Sequence, residues 1–588
     1  MLRVILTSII VPIFSQFIIA GKINIIPLKR ITYVYNVLSV MLFYTLLNVI
    51  LWQYQINFLI IITFFYFLSL TMYYVHEFRG TNANFSDILS INTAKEVASG
   101  YTYEIKARFV IVFIVILIEY ALHFFYYKIN VLGNYHKVVN DIDSVNIDVY
   151  RFVWHEFGQV LLLLFLFFII RDIVSINKYD YSLLAGEKEG YIYNFISSIS
   201  IFHNKDDISV KDADSIISFK TNENDKSKVS FNTLDTKNAQ IIDKIEESEN
   251  EYPNVIVIMN ESFGSVHRRI ETNIPVTPYY DSLNGLVKGD LYVNTFGGGT
   301  ANTEFEFLTG VSIGNYPYPV MPYNNFVKRD KYSIAKYFSN LGYETIAMHP
   351  YTATNYSRDK VYKRFGFDKL YFYDDFRDKK YIRKFVSDES MYEEVIRRYE
   401  ETRKGKKKVF IFGITMQNHS GYEEFEGEEV SSNIENIKSK RELDSYLSLM
   451  KKSDDAIKIL IDYFSKEKDH VILLFFGDHN ASFGTDLNKM VYDMDFDYEC
   501  TNAYATPFFI YNNRKNNDKV IDGVSANFLS IELFKEANLP LDMIHKYLDS
   551  IYKEYDVYNY HKMRSRKDKK KYDIKNDKLA KYEREYLS

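Results

Sequence analysis

Residues 294–305 read NTFGGGTANTEF, and this stretch decides how the whole sequence is interpreted. Three glycines lead into Thr300, the residues before them (290–293) have the pattern of a strand, and those after Thr300 have the apolar spacing of a helix. Thr300 is therefore predicted at a helix N-terminus, where backbone N–H groups point outward and favour anionic ligands. Taken alone, the pattern is more typical of a turn followed by an N-cap, so other residues must decide whether Thr300 is a nucleophile.

Composition excludes several kinds of site. The chain has 588 residues, enough for more than one domain, and its net charge of −5 gives no overall affinity for nucleic acid. Its single cysteine, Cys500, allows no internal disulfide and no cysteine-rich metal site. A metal ion bound to this chain would therefore need carboxylate, hydroxyl and imidazole ligands.

The N-terminal part, residues 1–176, is predicted to be a membrane domain with five spans. Both tryptophans, Trp52 and Trp154, lie at ends of apolar runs, where interfacial aromatic residues are common. The distribution of Lys and Arg between the loops mildly favours a cytoplasmic side for the large C-terminal part. The apolar runs each approach the ~20 residues that a spanning helix needs, and they lie at about 4–20, 31–52, 56–75, 109–127 and 152–170.

Two polar segments flank the C-terminal globular part. Residues 177–253 are predicted to be a connector, with an amphipathic element at about 191–202 that lies along the membrane and a flexible charged stretch after it. Residues 556–588 form a basic charged tail. A solvated helix or a disordered end is the more common meaning of such a tail, and attraction to anionic lipid or polymer is the alternative.

Residues 254–555 have the alternating pattern of an α/β domain. The segments 255–259 (VIVIM) and 471–476 (VILLFF) are continuous apolar runs, as expected for strands that are buried on both faces. Helical patterns lie between these and similar short runs. The sequence therefore predicts a mostly parallel sheet sandwiched by helices.

Polar side chains with useful chemistry follow the predicted strands. In a parallel sheet such residues gather at one edge, because ligand sites form at the carboxyl ends of the strands. Five strand ends supply them: Glu261, Thr300, His349, His419, and Asp478 with His479. The carboxylates, His479 and the Thr300 hydroxyl suit a divalent metal, with Mn²⁺ favoured and Zn²⁺ or Mg²⁺ as alternatives. A metal on Thr300 would lower the pKa of its hydroxyl and activate it as a nucleophile.

Each of these residues also has an ordinary structural explanation. Glu261 follows a strand, where a Glu is often the partner of an N-cap, and a lone loop histidine such as His419 is usually structural. Arg358 is either a clamp for phosphate or one half of a surface salt bridge with Asp359 or a nearby Glu. The convergence of five strand ends favours the functional interpretation, in which His419 transfers a proton or binds phosphate.

Five motifs, in this order, resemble the lipoteichoic acid synthase family of the alkaline phosphatase/sulfatase superfamily. They are NESFG at 260–264, FGGGTANTEFEFLTG at 296–310, HPY at 349–351 with YSRDKVYKRFGF at 356–367, MQNHSGY at 416–422 and FGDHN at 476–480. The resemblance implies five N-terminal spans and an extracellular catalytic domain that binds one Mn²⁺. This design, which covers nearly the whole chain, outweighs the small charge difference between the loops.

The resemblance also assigns roles residue by residue. The implied metal ligands are Glu261, Thr300, Asp478 and His479, and the implied contacts of the glycerophosphate are His349, Tyr356, Arg358 and His419. Tyr356 stands where better-known members have a Trp, and Tyr351 stands where they have an Asp, so a carboxylate that accepts from glycerol hydroxyls is missing. Thr300-Ala301-Asn302 does not match the Cys/Ser-x-Pro-x-Arg context of sulfate-hydrolysing enzymes, which disfavours sulfate hydrolysis.

The implied activity is transfer of phosphoglycerol from phosphatidylglycerol to a polymer or glycan of the cell envelope. Thr300 would carry the covalent intermediate, and His419 would protonate the leaving oxygen. Two alternatives remain open. One is a phosphoethanolamine transferase of the same superfamily, because Tyr351 replaces the carboxylate expected to bind glycerol. The other is a non-catalytic protein that binds an envelope polymer. The presence of all four metal ligands disfavours the second alternative.

Overall fold

The chain forms two compact units, Met1–Ile88 with Thr102–Asn204, and Leu89–Tyr101 with Lys205–Ser588. They are described separately, from a computed structural model. The structure describes residues 2–21, 30–51, 54–79, 82–90, 103, 105–134, 164, 190–198, 252–314, 321–422, 424–435, 440–492, 501–559 and 562–573.

The first unit is helical and apolar. Its helices are α1 (Leu2–Ala20), α2 (Arg30–Leu51), α3 (Tyr54–Arg79), α4 (Ala107–Asn134) and α5 (Tyr191–Ser197), with a 3₁₀ turn at Phe85–Ser90. Among the described residues, three segments are long and apolar enough to cross a membrane, Thr32–Leu51, Ile56–Glu77 and Ala107–Phe125, whereas Val4–Ala20 is shorter. Apolar N-terminal helices are therefore confirmed, and the count of five spans stays a prediction. The fifth predicted run, 152–170, falls almost wholly outside the described residues.

Helix α5 differs from the amphipathic element expected at about 191–202. Its residues Tyr191, Tyr193 and Asn194 are all buried. The Tyr193 N–H donates to Asn36 Oδ1 at 2.9 Å, and the ring of Tyr193 stacks on Tyr35 at 5.6 Å between centroids. This segment packs among the apolar helices of the first unit, so it has no polar face turned to water. The charged stretch after it lies outside the described residues.

The second unit is built on an eight-stranded sheet in the order β10-β2-β9-β8-β1-β7-β3-β4. All neighbouring pairs are parallel except those that involve β9, which runs antiparallel to both β2 and β8. The prediction of a mostly parallel sheet is confirmed. The strands are β1 (Asn254–Asn260), β2 (Val287–Tyr292), β3 (Glu344–Met348), β4 (Lys369–Tyr371), β7 (Val409–Ile414), β8 (Val471–Gly477), β9 (Ala505–Asn512) and β10 (Lys519–Ser525). A separate hairpin pairs β5 (Tyr381–Ile382) with β6 (Phe385–Val386).

Helices cover both faces of this sheet. Val255, Val257 and Met259 of β1 belong to one apolar core, and the alternate residues Ile256 and Ile258 belong to a second. A strand that is apolar at every position is the expected result of such packing. The helices are α6 (Pro278–Ser282), α7 (Thr300–Thr309), α8 (Pro322–Asn325), α9 (Ile334–Asn340), α10 (Arg358–Arg364), α11 (Asp388–Lys404), α12 (Lys440–Phe464), α13 (Thr485–Tyr492), α14 (Leu529–Ala537) and α15 (Met543–Tyr552). Short 3₁₀ turns occur at Val266–Arg269, Asn355–Ser357, Tyr373–Asp375, Thr501–Tyr504 and Ala526–Phe528.

The start of the predicted tail is a small sheet and not a solvated or disordered end. The strands β11 (Tyr555–Asn559), β12 (Lys562–Ser565) and β13 (Lys571–Asp573) pair antiparallel. Met563 is buried, Asn559 Nδ2 donates to Val293 O at 2.7 Å, and Lys569 pairs with Asp522 and Asp556 at 2.9 and 2.8 Å. Carboxylates of β10 and β11 thus pair with a basic side chain of the turn between β12 and β13.

Candidate active site

The glycine loop brings Thr300 to the start of α7, as the sequence predicts. Gly297, Gly298 and Gly299 have φ angles of 68°, 150° and 87°, which side-chain-bearing residues rarely adopt. A Cβ on Gly299 would lie 2.7 Å from Thr295 Oγ1, whereas a Cβ on Gly298 would have no neighbour within 4 Å. The loop is therefore closely packed at Gly299, whereas there is open space beside Gly298.

Glu261, Asp478 and His479 converge on Thr300 at the carboxyl ends of the strands. The Thr300 hydroxyl donates to Glu261 Oε2 at 3.0 Å. His479 Nε2 lies 3.5 Å from Glu261 Oε1 and 3.3 Å from Asp478 Oδ2. One ligand atom from each of the three side chains lies within 4.8 Å of the others, and all three side chains are buried. The structure thus brings together all four residues that were predicted as metal ligands.

Two atoms of this group have no hydrogen-bond partner among the described residues. Asp478 Oδ1 accepts from the N–H groups of Ser262 and His479 at 2.7 and 2.8 Å, which leaves Oδ2 unpartnered. His479 Nδ1 lies 3.1 Å from Asn480 O, which orients the ring so that Nε2 faces the Glu261 and Asp478 carboxylates. Burial, and after it the nearby Glu261 carboxylate, raise the pKa of Asp478 to about 7. Two carboxylates and an imidazole nitrogen in one buried place fit a divalent cation, whose identity stays a prediction.

The backbone beside Glu261 is strained in a way that holds this geometry. Ser262 has a φ of 51°, a left-handed conformation that costs a non-glycine residue of order 1 kcal/mol or more. This turn aims its N–H at Asp478, and the Ser262 hydroxyl donates to Glu261 Oε1 at 3.0 Å. The Tyr446 hydroxyl donates to Ser262 O at 2.7 Å. Ligands from β1 and β8 are therefore linked through one residue.

Burial lowers the pKa of both predicted histidines, His349 and His419. His349 is buried, its Nδ1 lies 3.4 Å from Ile414 O, and burial, followed by the Arg358 charge, holds its pKa well below the usual range. Burial also lowers the pKa of His419, whereas the Glu261 carboxylate acts in the opposite direction.

Arg358 lies in a buried ion pair that the sequence did not reveal. Its Nε is 3.1 and 3.2 Å from the two carboxylate oxygens of Glu304, its Nη2 also pairs with Glu304, and Nη1 donates to Asn355 Oδ1 at 2.9 Å. Glu304 also accepts from the hydroxyls of Tyr323 and Tyr362, at 3.0 and 2.6 Å. The partner is thus neither Asp359 nor a surface Glu, and the role of Arg358 as a phosphate clamp stays a prediction.

The two tyrosines of the predicted head-group pocket lie beside residues of the site: Tyr356 beside Arg358, and Tyr351 beside His349. Tyr356 is half-buried with a φ of 52°, and the Arg358 guanidinium lies 4.9 Å from its ring centroid. The ring of Tyr351 meets that of His349 edge-on, at 6.2 Å between centroids. The position where a carboxylate was expected therefore has an aromatic ring against His349, and the role of Tyr356 stays a prediction.

A buried polar network behind the site was also missed. Asn260 Nδ2 and the Ser453 hydroxyl donate to Asp388 Oδ2 at 2.7 and 2.6 Å, and the Asp388 N–H donates to Gln417 Oε1 at 2.9 Å. Asn418 Nδ2 donates to the Ser453 hydroxyl at 2.9 Å. The network joins the end of β1 and the loop after β7, which precede Glu261 and contain His419, to the start of α11 and to α12. Its amides are inside the recognised motifs, but Asp388 comes from a helix start with no motif.

Glu306, on the same helix as Thr300, gives a pH-dependent stability. Burial raises its pKa to about 7, although Asn294 and the Ile313 N–H donate to Oε1 at 2.7 and 2.9 Å. A folded-state pKa above the unfolded value means that the folded chain binds more protons, so stability falls as pH rises from about 4.5 to above 7. The Glu306→Gln variant keeps both accepted bonds and removes this titration, and we expect it to be on the order of 2–3 kcal/mol more stable than wild type at pH 8 and about equal at pH 5.

The measurement is the apparent melting temperature of the full-length protein in detergent at both pH values. Glu532→Gln is the matched control, because Lys519 and Lys535 offset the burial of Glu532 and lower its pKa. Its loss of stability should instead be present at pH 8 and fade toward acid. Equal differences at both pH values for Glu306→Gln would show that Glu306 does not titrate in this range.

Comparison with known proteins gives the class of the second unit. Residues 253–549, half of the chain, match the sulfatase family, and the chain belongs to that family. The expected sulfatase-like α/β domain is thereby confirmed.

Individual relatives cover only parts of the chain. It is 30% identical over 315 residues to a Rhizobium meliloti (strain 1021) protein named "Putative cyclic beta-1,2-glucan modification protein", covering 52% of this chain and 49% of that one. It is also 30% identical over 240 residues to the capsular polysaccharide biosynthesis protein RkpI of that organism, covering 39% and 41%. The matched regions span about half or less of these curated relatives.

Two solved structures are similar in fold. The Streptococcus pyogenes phosphoglycerol transferase GacH, in complex with sn-glycerol-1-phosphate, is 23% identical with a TM-score of 0.48, over 57% of this chain and 84% of that one. The lipoteichoic acid synthase LtaP from Listeria monocytogenes is 19% identical with a TM-score of 0.46, over 57% and 92%.

Proposed function

We propose that the protein is a membrane-anchored transferase that moves phosphoglycerol from phosphatidylglycerol to a glycan or polymer of the cell envelope. The observation that carries the proposal is the Thr300 hydroxyl, 3.0 Å from Glu261 Oε2, beside the unpartnered Asp478 Oδ2 and His479 Nε2. A nucleophile at a helix N-terminus, next to a group of cation ligands, suits attack on a phosphodiester.

The chain's own residues account for two successive displacements. Thr300 Oγ attacks phosphorus as its proton passes to Glu261 Oε2, to which it already donates at 3.0 Å. The bond from phosphorus to the diacylglycerol oxygen breaks, and His419 in its protonated form supplies the proton that this oxygen takes up. The product is a glycerophosphate ester of Thr300. An acceptor hydroxyl then attacks the same phosphorus, His419 accepts its proton, and Thr300 leaves as a hydroxyl with the proton that Glu261 returns. A divalent cation held by Glu261, Asp478 and His479 would supply positive charge that stabilises the Thr300 oxyanion and the phosphoryl oxygens.

The first unit supports a lipid donor. Its three long apolar segments would anchor the enzyme in the bilayer that contains the substrate. The acceptor is proposed to be a glycan, because the two Rhizobium meliloti relatives have names that refer to glucan modification and capsular polysaccharide biosynthesis. The catalytic unit is proposed to lie on the outer side of the membrane, where such acceptors occur. Protease treatment of intact cells tests this, because a C-terminal tag on an outward-facing unit is digested.

A second candidate head group is ethanolamine. The ring of Tyr351, which lies against that of His349, stands where a carboxylate would accept from glycerol hydroxyls. A phosphoethanolamine transferase would use the same Thr300 chemistry with a different pocket for the head group.

One experiment separates these candidates. The full-length protein in nanodiscs is incubated with Mn²⁺ and either phosphatidylglycerol or phosphatidylethanolamine, without acceptor, and is then quenched in acid. We expect the mass of a glycerophosphate on the peptide that contains Thr300, with phosphatidylglycerol only. An ethanolamine phosphate adduct would establish the second candidate, and no adduct with either lipid would indicate a non-catalytic protein.

A further inference from the structure

The β5–β6 hairpin lies against the loop that contains His419. Its strands pair Tyr381 with Val386 and Ile382 with Phe385, so that Arg383 and Lys384 form the turn. Arg383 has a φ of 55°, in the left-handed region that favours glycine. A non-glycine residue in this conformation costs of order 1 kcal/mol or more and persists only when its surroundings fix it.

The hydrogen bonds of the Arg383 side chain hold its backbone in this conformation. Nη1 donates to Gly421 O at 2.8 Å, and Nη2 donates to Gln417 O at 2.6 Å and to His419 O at 3.0 Å. One guanidinium thus binds three carbonyl oxygens within five residues of the loop. A planar fork of donors restricts a loop in this way far better than a flexible ammonium group.

The same hairpin also contacts the imidazole. The ring of Phe385 lies 5.4 Å from that of His419, and the Arg383 guanidinium lies 5.3 Å from the Phe385 ring. His419 is therefore held through its backbone by Arg383 and through its side chain by Phe385.

We propose that Arg383 is a positioning residue for the transfer reaction, which fixes the 417–421 loop and with it the position of the His419 ring against Phe385. This inference rests on the proposed function, in which His419 transfers the proton in both displacements. Arg383 itself contacts neither Thr300 nor the cation ligands in the contacts described above. Its effect on the reaction is exerted through His419.

The kinetic test compares Arg383→Ala, Arg383→Lys and Lys384→Ala in the full-length protein. Lys384 is the matched control, since it is the exposed second residue of the same turn. We expect Arg383→Ala to lower kcat for formation of the Thr300 adduct by about 10- to 100-fold, with KM for the lipid within about threefold, because proton transfer contributes 10²–10⁴-fold. Arg383→Lys should restore part of the loss, and Lys384→Ala should leave kcat unchanged. An unchanged kcat in Arg383→Ala would overturn the inference while the proposed function stands.

A second measurement does not depend on turnover. Labelling with diethyl pyrocarbonate, read by mass spectrometry, reports how accessible each histidine is. We expect His419 to react several times faster in Arg383→Ala than in wild type. The internal reference is His470, whose Nε2 lies 3.0 Å from Asn512 Oδ1. Faster labelling without any lipid adduct in wild type would refute the proposed function and retain the structural role of Arg383. Unchanged labelling would refute that role.

Discussion

Replacement of Thr300 by alanine is expected to lower the rate of diacylglycerol release by at least about 10⁴-fold, since removal of a nucleophile abolishes the covalent route. The hydroxyl is the group that reaches Glu261, at 3.0 Å, and an alanine at the same helix N-terminus leaves the backbone unchanged. The measurement is release of diacylglycerol from phosphatidylglycerol by the full-length protein in nanodiscs.

Two variants control this experiment. Thr300→Ser keeps a hydroxyl and should retain activity within about two orders of magnitude. Thr309→Ala removes a buried hydroxyl at the other end of the same helix, where it donates to Phe305 O at 2.6 Å, and should leave turnover unchanged. Turnover by Thr300→Ala close to that of wild type would remove Thr300 from the mechanism.

Loss of one partner of the Glu304–Arg358 pair is expected to cost about 3–5 kcal/mol of unfolding free energy. Both side chains are buried, at 0% and 1% exposure, so that either single change leaves a charge without its partner. The variants are Glu304→Gln and Arg358→Met, and the measurement is denaturant unfolding of the full-length protein in detergent. The double variant should lose less than the two single losses together, because no unpaired charge remains in it.

A surface pair provides the matched control. Lys458 and Asp462 form an i,i+4 pair at 2.6 Å with both side chains about half exposed, and Lys458→Met should change stability by less than about 1 kcal/mol. If Arg358 also clamps phosphate, Arg358→Lys should raise KM for the lipid beyond what its loss of stability explains. A loss of under 1 kcal/mol in Glu304→Gln would contradict the buried ion pair.

The sequence was most informative where one local pattern sufficed. Continuous apolar runs predicted β1 and β8 correctly, because a strand covered on both faces has no polar position. Glycines before a hydroxyl residue predicted the start of α7 at Thr300, since the left-handed turn requires them. Strand ends in a parallel sheet meet at one edge, so Glu261, Asp478 and His479 were predicted to be together without any distance information.

Pairings between distant segments were not predictable in this way. Arg358 and Glu304 are 54 positions apart, and no local rule states which carboxylate a buried arginine will meet. Asp388 lies 128 positions from Asn260, and Arg383 reaches the His419 loop from a hairpin turn. The basic start of the tail became β12 and β13 because Asp522 and Asp556 supply partners from other elements. These contacts depend on the assembled fold and not on composition.

The antiparallel strand β9 determines the distance that the segment before Thr300 has to span. Thr300 follows β2, whereas Asp478 and His479 follow β8, and β9 separates the two strands. Two interstrand spacings amount to about 10 Å, which the segment between Tyr292 and Thr300 has to cross. The Gly297 N–H donates to Asn480 O at 2.9 Å. This bond attaches the glycine segment to the loop after β8, next to Asp478 and His479. The length of this segment therefore sets the position of Thr300, and loss or gain of one glycine would displace the hydroxyl while Glu261, Asp478 and His479 kept their positions.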